Sequence, residues 1–502
     1  MKKTVFIKNA AILTVSSLIL RFAGIVFKVW LAARIGAEGI GVYQLVFSVY
    51  MFAATFATSG ICTAVTRMVS VELVTGNKQG IKRIVTRCVQ LSLLIALISI
   101  IVLFFGADFI SQKLLHEGRA ALSLKILGFS LPFMGVCSCI KGYFMARRKA
   151  APSSVSQILE QAVRIAVIIP LVAKYNQFGL QYACAAVLLG DTIAEAASCI
   201  FVYIRYRLDF NKLEINTPVS RKPYKILPVV THIALPITSG RYLNSLLRMI
   251  ENVLVPICLI NSGGISLFGM IKGMALPILF FPSTLLGALS LLLIPEMSEA
   301  AAKGRVGVVR SVVSRIIKIT SLTSIIFAAV FLVCGRQLGE LIYQSRDVGF
   351  LLCALSPIVP FMYLDAISDG ILKGLDQQKF TFFTSVGDSA LRILLILLLL
   401  KQYGIYGFIG IMYFSNLFTC ILNTKRLLKT SGANIDFSQT VFLPTCGAFF
   451  LCFVARFLLN LINIPNLLFV LLVCILCIPL YMAFLFFFGI IDRDDIGFLK
   501  QK

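Results

Sequence analysis

The feature that most restricts the fold of this chain is a series of apolar segments, each about long enough to cross a lipid bilayer. A spanning helix needs about 20 predominantly apolar residues. We identify fourteen such segments in the 502 residues, at about 10–33, 41–64, 89–110, 121–145, 153–173, 181–204, 227–259, 265–294, 316–334, 349–372, 381–400, 405–424, 440–460 and 466–490. Since 59% of the residues are hydrophobic and only 14% charged, we expect an all-α, multi-pass membrane protein with about fourteen transmembrane helices.

The distribution of basic residues predicts how the chain is oriented. A net charge of +25 could point to nucleic acid, but the 47 Lys and Arg residues concentrate in alternate connections between the apolar segments. Basic residues are enriched in cytoplasmic loops, so we expect both termini to be cytoplasmic and no nucleic-acid partner. The basic start resembles a signal peptide, but Arg21 and Lys28 interrupt the apolar run that follows. We therefore expect a retained first span.

Internal similarity predicts two halves of six helices each. Glu160-Gln-Ala-Val-Arg164 recurs as Asp388-Ser-Ala-Leu-Arg392 about 228 residues later, and Pro132-Phe-Met recurs as Pro360-Phe-Met at the same offset. Six spans is an even number, so the halves insert in the same orientation as parallel repeats, with a substrate site expected at their interface. The predicted domains are an N-lobe (1–212), a C-lobe (213–430), and a two-helix appendage with the tail (431–502).

Five cations lie deep within the apolar segments. Arg21 and Lys28 are seven residues apart in the first segment, Arg241 and Arg248 have the same spacing in the seventh, and Lys272 follows in the eighth. A charge at mid-bilayer costs about 2.5–3.5 kcal/mol, so such residues usually face a bundle interior or a watery cavity. We expect these cations to line a central cavity that binds an anionic substrate. The alternative is that each is paired with an acid for structural reasons.

Acidic residues provide candidates for gating or ion coupling. Glu160/Arg164 and Asp388/Arg392 are acid–base pairs at i, i+4, which fits either structural pairs that neutralise each other or a gate or proton or sodium coupling site. Glu251 follows Arg248 by three residues and could neutralise it locally. Four further carboxylates lie in or near apolar segments: Asp191, Glu195, Asp365 and Asp369.

Metal-binding or catalytic motifs are not apparent. His116 and His232 are isolated, and the fourteen cysteines lie mostly within apolar segments without a second ligand cluster at metal spacing. We therefore interpret the cysteines as small buried apolar residues. The sequence predicts no catalytic residues, no metal and no cofactor, although transport coupled to membrane potential, Na⁺ or H⁺ stays open.

Several motifs resemble the multidrug/oligosaccharidyl-lipid/polysaccharide exporter superfamily, and within it the stage V sporulation protein B-like flippases of Gram-positive bacteria. They are Arg21-Phe-Ala-Gly with Lys28, Ile35-Gly-Ala-Glu-Gly-Ile-Gly-Val-Tyr43, Ser156-Gln-Ile-Leu-Glu160-Gln-Ala-Val-Arg164, Leu235-Pro-Ile-Thr-Ser-Gly-Arg241, Leu293-Ile-Pro-Glu-Met-Ser-Glu299 and Gly370-Ile-Leu-Lys-Gly374.

The resemblance runs from about residue 5 to 430. It implies a two-lobe bundle in a bacterial plasma membrane that flips undecaprenyl-diphosphate-linked sugars for peptidoglycan or another polysaccharide. By position in the related lipid II flippases, it also implies that Arg21, Lys28 and Lys272 bind substrate.

Two other functions are compatible with a chain of this kind. A cation-coupled multidrug exporter of the same fold would need carboxylates rather than cations in its cavity. A membrane-embedded glycosyltransferase or polymerase usually needs an acid pair or a substantial external loop, and the predicted outer loops are short. We therefore expect a monomeric, non-enzymatic flippase whose partners are a lipid-linked oligosaccharide and the bilayer.

Overall fold

The protein is helical throughout the part that the structure, a computed structural model, describes. That part comprises residues 3–58, 60–213, 226–260, 263–284, 286–287, 297, 300, 303–460 and 465–490, and it contains no strand. Within it, nine helices are long and apolar enough to cross a membrane, or ten if one bent pair is a single span. The predicted class, an all-α membrane protein, is confirmed; the count of fourteen spans stays a prediction.

Two compact units divide the chain, Met1–Gly269 and Met270–Lys502. The helices of the first unit are α1 (Lys3–Thr58), α2 (Ile61–Val74), α3 (Lys78–Phe109), α4 (Ala120–Gly128), α5 (Leu131–Ala146), α6 (Ala151–Tyr175), α7 (Leu180–Asn211), α8 (Ile226–Cys258) and α9 (Gly264–Phe268). Those of the second unit are α10 (Leu276–Phe280), α11 (Val306–Tyr343), α12 (Arg346–Leu355), α13 (Val359–Gly374), α14 (Gln378–Ser431), α15 (Leu443–Asn460) and α16 (Asn466–Phe487). A π-helical segment, Gly269–Ala275, precedes α10.

Helix starts follow the local sequence. The Asn77 side chain caps α3 by accepting a hydrogen bond from the Gly80 amide at 2.8 Å, as the unpaired amides of a first turn require. Pro132 and Pro360 stand in the first turns of α5 and α13, where a proline costs no helical hydrogen bond. The two copies of the Pro-Phe-Met motif therefore both begin a helix.

Glycines mark where the helices depart from the predicted segments. The first segment and most of the second form one long helix, α1, bent at Gly36 (φ 70°), and the eleventh and twelfth form α14, bent at Gly404 (φ 53°). The second segment, predicted as 41–64, does not run as one helix: α1 ends at Thr58 and α2 begins after Gly60 (φ 73°). The Leu293–Glu299 motif lies almost wholly outside the described residues.

Each unit has its own apolar core. In the first, Tyr143 and Phe144 of α5 are fully buried among residues of α2, α3 and α7. In the second, Cys452 of α15 and Tyr481 of α16 pack against α11, so the last two helices are an integral part of that unit. Ten of the fourteen cysteines are buried, as expected for small apolar residues.

Candidate functional site

A packed pair of helices lines a polar cavity in the first unit. The Thr55 hydroxyl of α1 donates to the Ser245 hydroxyl of α8 at 3.3 Å, and the rings of Phe56 and Tyr242 stack with centroids 4.1 Å apart. In these two contacts the residue number increases along α1 and decreases along α8. The two helices therefore run antiparallel. The sequence alone predicts that α8 belongs to the C-lobe (213–430), whereas in the structure it packs within the first unit.

Gly60, the residue before α2, permits the close approach of the chain to α8. Its φ of 73° lies in the left-handed region that favours glycine. A Cβ atom at this position would collide with the Thr238 side chain and would lie 2.9 Å from the Ala234 carbonyl oxygen. The chain can therefore turn from α1 into α2 directly against α8 only because residue 60 has no side chain.

Beyond these contacts the helices enclose a cavity of about 490 Å³. Its lining combines two arginines with amide, hydroxyl and a few apolar side chains. The residues are Gln44, Phe47, Ser48, Met51, Thr55 and Thr58 from α1, and Arg241, Asn244, Ser245, Arg248, Met249 and Asn252 from α8. No carboxylate is among the described lining residues, so the cavity carries positive charge.

Arg241 and Arg248 are exposed to this space. Seven residues separate them, about 10.5 Å along a helix axis. Neither forms an ion pair or a hydrogen bond with any residue in the described part of the chain. Glu251, suggested by the sequence as a local partner, is buried and does not line the cavity. The two arginines are therefore available to an anion.

The other predicted cations lie elsewhere. Arg21 is exposed and Lys28 half-buried on α1 before the Gly36 bend, and neither lines the cavity. Lys28 lies within electrostatic range of the positive charge of Arg164. Lys272 is half-buried in the π-helical segment at the start of the second unit. Of the five predicted substrate-binding residues, the first unit thus brings together Arg241 and Arg248.

The Glu160/Arg164 pair belongs to a larger network. Arg164 Nη2 lies 2.9 Å from Glu160 Oε1 on α6, and its Nε lies 2.8 Å from Asp191 Oδ1 on α7. Asp191 also accepts a hydrogen bond of 3.4 Å from the Tyr43 hydroxyl on α1. One guanidinium thus links two acids and ties α6 to α7. The sequence showed the i, i+4 pair but not the second acid, 27 residues further along the chain.

In the second unit the equivalent residues, Asp388 and Arg392, also form an ion pair. Arg392 Nε lies 3.1 Å from Asp388 Oδ2 and donates to the Ser415 hydroxyl at 2.5 Å, while that hydroxyl donates to Asp388 Oδ1. Asp365 on α13 instead accepts a hydrogen bond of 2.8 Å from the Asn423 amide. Asp365 has no basic partner within the described residues.

A third polar cluster lies in the segment between α3 and α4. Arg119 donates to both carboxylate oxygens of Glu117, at 2.6 and 2.8 Å, and to Glu38 at 2.8 Å. These hydrogen bonds lower the pKa of Glu117 despite its burial. The cluster borders a second cavity of about 260 Å³, which is lined on the other side by Pro256, Ile257, Ile260 and residues 263–266.

The profile of the family described as "Polysaccharide biosynthesis protein" matches residues 6–263, just over half of the chain. The chain belongs to the polysaccharide biosynthesis protein family. The whole 490 Å³ cavity lies within the matched region.

Relatives and solved structures agree with this membership. This family member is 23% identical to stage V sporulation protein B of Bacillus subtilis over 81% of its own length and 80% of the relative's. It is 21% identical to the lipid II flippase MurJ of the same organism, with 79% and 77% covered.

The fold is also that of known structures. It matches an inward closed lipid II flippase MurJ (TM-score 0.68, 14% identity, 94% and 98% covered) and an inward-facing MATE family transporter of the MOP superfamily (TM-score 0.67, 14% identity, 82% and 97% covered). The resemblance inferred from the motifs is confirmed.

Proposed function

We propose that this protein moves an undecaprenyl-diphosphate-linked oligosaccharide, a peptidoglycan precursor or another polysaccharide unit, from the inner to the outer leaflet of a bacterial plasma membrane. The observation that carries the proposal is the cavity between α1 and α8. It presents Arg241 and Arg248 with no carboxylate among its described lining residues. The similarity to a sporulation protein and to a lipid II flippase supports the proposal.

Phosphate is the anion that best fits these groups. A guanidinium donates two parallel hydrogen bonds to a phosphate, and charge interactions strengthen where water is scarce. A diphosphate carries several acceptor oxygens close together, so two arginines on one helix face can both contact it. Arg21, Lys28 and Lys272 complete the proposed set of substrate-binding cations.

The sign of the charge separates the alternatives. An exporter of cationic drugs needs acids in its cavity, and the described lining offers arginines. A glycosyltransferase or polymerase usually needs a carboxylate pair beside the sugar, and the carboxylates of the Glu160 and Asp388 pairs are engaged by arginines. We therefore propose transport by alternating access without chemical change, both termini being cytoplasmic and the protein a monomer.

Asp365 is the proposed coupling residue. Among the described carboxylates of the second unit's long helices, Asp388 and Asp369 each have a basic partner, whereas the partners of Asp365 are the uncharged side chains of Asn423 and Thr419. An intramembrane carboxylate without a cation is a candidate proton or sodium site. Asp365→Asn should abolish dependence of transport on the Na⁺ or H⁺ gradient, measured in vesicles with each gradient imposed separately, while gradient-independent exchange continues.

Transport can be tested in vesicles containing the purified protein and a fluorescent lipid-diphosphate sugar. Arg241→Gln and Arg248→Gln should each weaken substrate binding by about 10- to 150-fold, because a hydrogen bond to a charged group contributes about 1.5–3 kcal/mol. Arg87→Gln, an exposed arginine of α3 outside the cavity, is the matched control and should leave transport unchanged.

The same assay also distinguishes transport from catalysis. Transbilayer movement with no change in the mass of the lipid supports a flippase, whereas a change in mass would indicate an enzyme. Full transport by the Arg241 and Arg248 variants would contradict the proposed role of the cavity.

A further inference from the structure

Two amide side chains that line the cavity have no hydrogen-bond partner in the described part of the protein. Gln44 and Asn252 line it and are half-buried, yet their side chains make no hydrogen bond with the described part of the protein. Amides elsewhere in the helices are used: Asn416 donates to the Met412 carbonyl at 2.8 Å and Asn423 donates to Asp365. A polar group withdrawn from water costs free energy unless it has a partner. Gln44 and Asn252 are therefore open to a ligand or to water in the cavity.

The antiparallel packing places these amides together at one end of the cavity. Thr55 meets Ser245, so moving seven residues along each helix brings Ser48 level with Asn252, and Gln44 lies one further turn along α1, about 6 Å beyond. In the same register Arg241 lies near the opposite end, about 16.5 Å from Asn252 along the axis. Arg248 lies one turn, about 6 Å, from Asn252. Along α8 the arginines and amides of the lining run Arg241, Asn244, Arg248 and Asn252. The end of the cavity beyond Arg248, here called the amide part, is therefore lined by Asn252 and Gln44 and, among the described residues, by no arginine.

The chemistry of the amide part differs from what a diphosphate needs. A fully ionised diphosphate only accepts hydrogen bonds, and arginine only donates them. An amide both donates and accepts, which matches hydroxyl and acetamido groups of a sugar. Phe47, one turn from Gln44, also lines this part and offers a flat apolar surface for the carbon face of a sugar ring.

We infer that Gln44 and Asn252 bind the sugar attached directly to the diphosphate, while Arg248 holds the diphosphate itself. This inference rests on the proposed function and extends it, because it assigns residues that distinguish a glycosylated lipid from the bare lipid diphosphate. A site built to hydrogen-bond a hydroxyl or amide discriminates strongly against an analogue that lacks the group. The protein therefore binds its cargo more tightly once the first sugar has been added.

The test compares two ligands on purified full-length protein in lipid nanodiscs. The probes are undecaprenyl diphosphate and undecaprenyl diphosphate carrying one N-acetylhexosamine. The unmodified protein should bind the glycosylated lipid more tightly. Gln44→Met and Asn252→Leu should each weaken binding of the glycosylated lipid by about three- to tenfold, the effect of one lost neutral hydrogen bond, and leave the affinity for the bare lipid unchanged. Gln90→Met, an exposed amide on α3, is the matched control.

Unchanged affinity for the bare lipid also shows that each variant is folded. Equal binding of the two lipids by the unmodified protein would overturn the inference. So would amide variants that weaken both lipids equally or neither. Arg248→Gln provides the separate test: it should weaken both lipids, and if it weakens neither, the proposed function fails as well. If it weakens both while the amide variants have no selective effect, the proposed function stands and only the assignment of the sugar site is wrong.

Discussion

Arg164 is the cation whose removal should damage the fold most. It contacts Glu160 and Asp191 at 2.9 and 2.8 Å, and the three side chains are only 26%, 16% and 8% exposed. Arg164→Gln leaves two buried acids without a described cation at ion-pair distance. Breaking a buried pair in this way costs about 3–5 kcal/mol. Because Tyr43 still donates to Asp191, we expect a loss near the lower end, about 3 kcal/mol.

A double-mutant cycle isolates the pair from the effect of either residue alone. Arg164→Gln combined with Asp191→Asn removes the stranded aspartate charge, so the double variant should regain about 1–2 kcal/mol relative to Arg164→Gln. The assay is equilibrium unfolding of the purified protein in mixed micelles, with Arg87→Gln as the control. Should Arg164→Gln cost less than about 1 kcal/mol, or the double variant be no more stable than the single one, the reasoning would be refuted.

Two further perturbations test packing and charge. Gly60→Ala should destabilise the protein by about 1–3 kcal/mol and weaken substrate binding, because its Cβ would lie 2.9 Å from the Ala234 carbonyl oxygen. The control is Gly24→Ala, whose Cβ would have no atom within 4 Å. It should change neither stability nor binding in the same unfolding and binding assays. Glu117 has a lowered pKa because Arg119 donates hydrogen bonds to it, so its stabilisation is complete at neutral pH and is lost below about pH 4, under the ordinary glutamate value of about 4.3. Glu117→Gln should therefore flatten the acid limb of the stability–pH curve.

Local patterns in the sequence predicted local structure well. The lengths of the apolar segments predicted the helical membrane class. The i, i+4 spacing of Glu160/Arg164 and Asp388/Arg392 predicted two ion pairs that the structure contains. Each of these features depends on residues within about one helix. The break at Gly60 was missed because hydropathy does not register a backbone conformation, only the polarity of the side chains.

Features that depend on residues far apart in the sequence were harder to predict. The packing of α8 on α1 brings residues about 190 positions apart into contact, and no periodicity specifies which helix an apolar face will meet. The contact of Arg164 with Asp191 is similar. The sequence showed Asp191 as an acid in an apolar segment but did not show that Arg164 would be its partner. The sequence predicted cationic residues in a cavity, and only the structure shows that Gln44 and Asn252 share one with Arg241.

The intramembrane arginines fall into two groups, and their local sequence explains why. Arg164 and Arg392 each follow an acid by four residues on the same helix, where the side chains meet, so each is neutralised as its helix forms. The residue four before Arg248 is Asn244, and Arg241 has an isoleucine there. Their charges gain no such compensation, and the described structure supplies none elsewhere. The proposed function uses this difference, because an anion can bind Arg241 and Arg248 without displacing an acid, whereas at Arg164 and Arg392 it would compete with one.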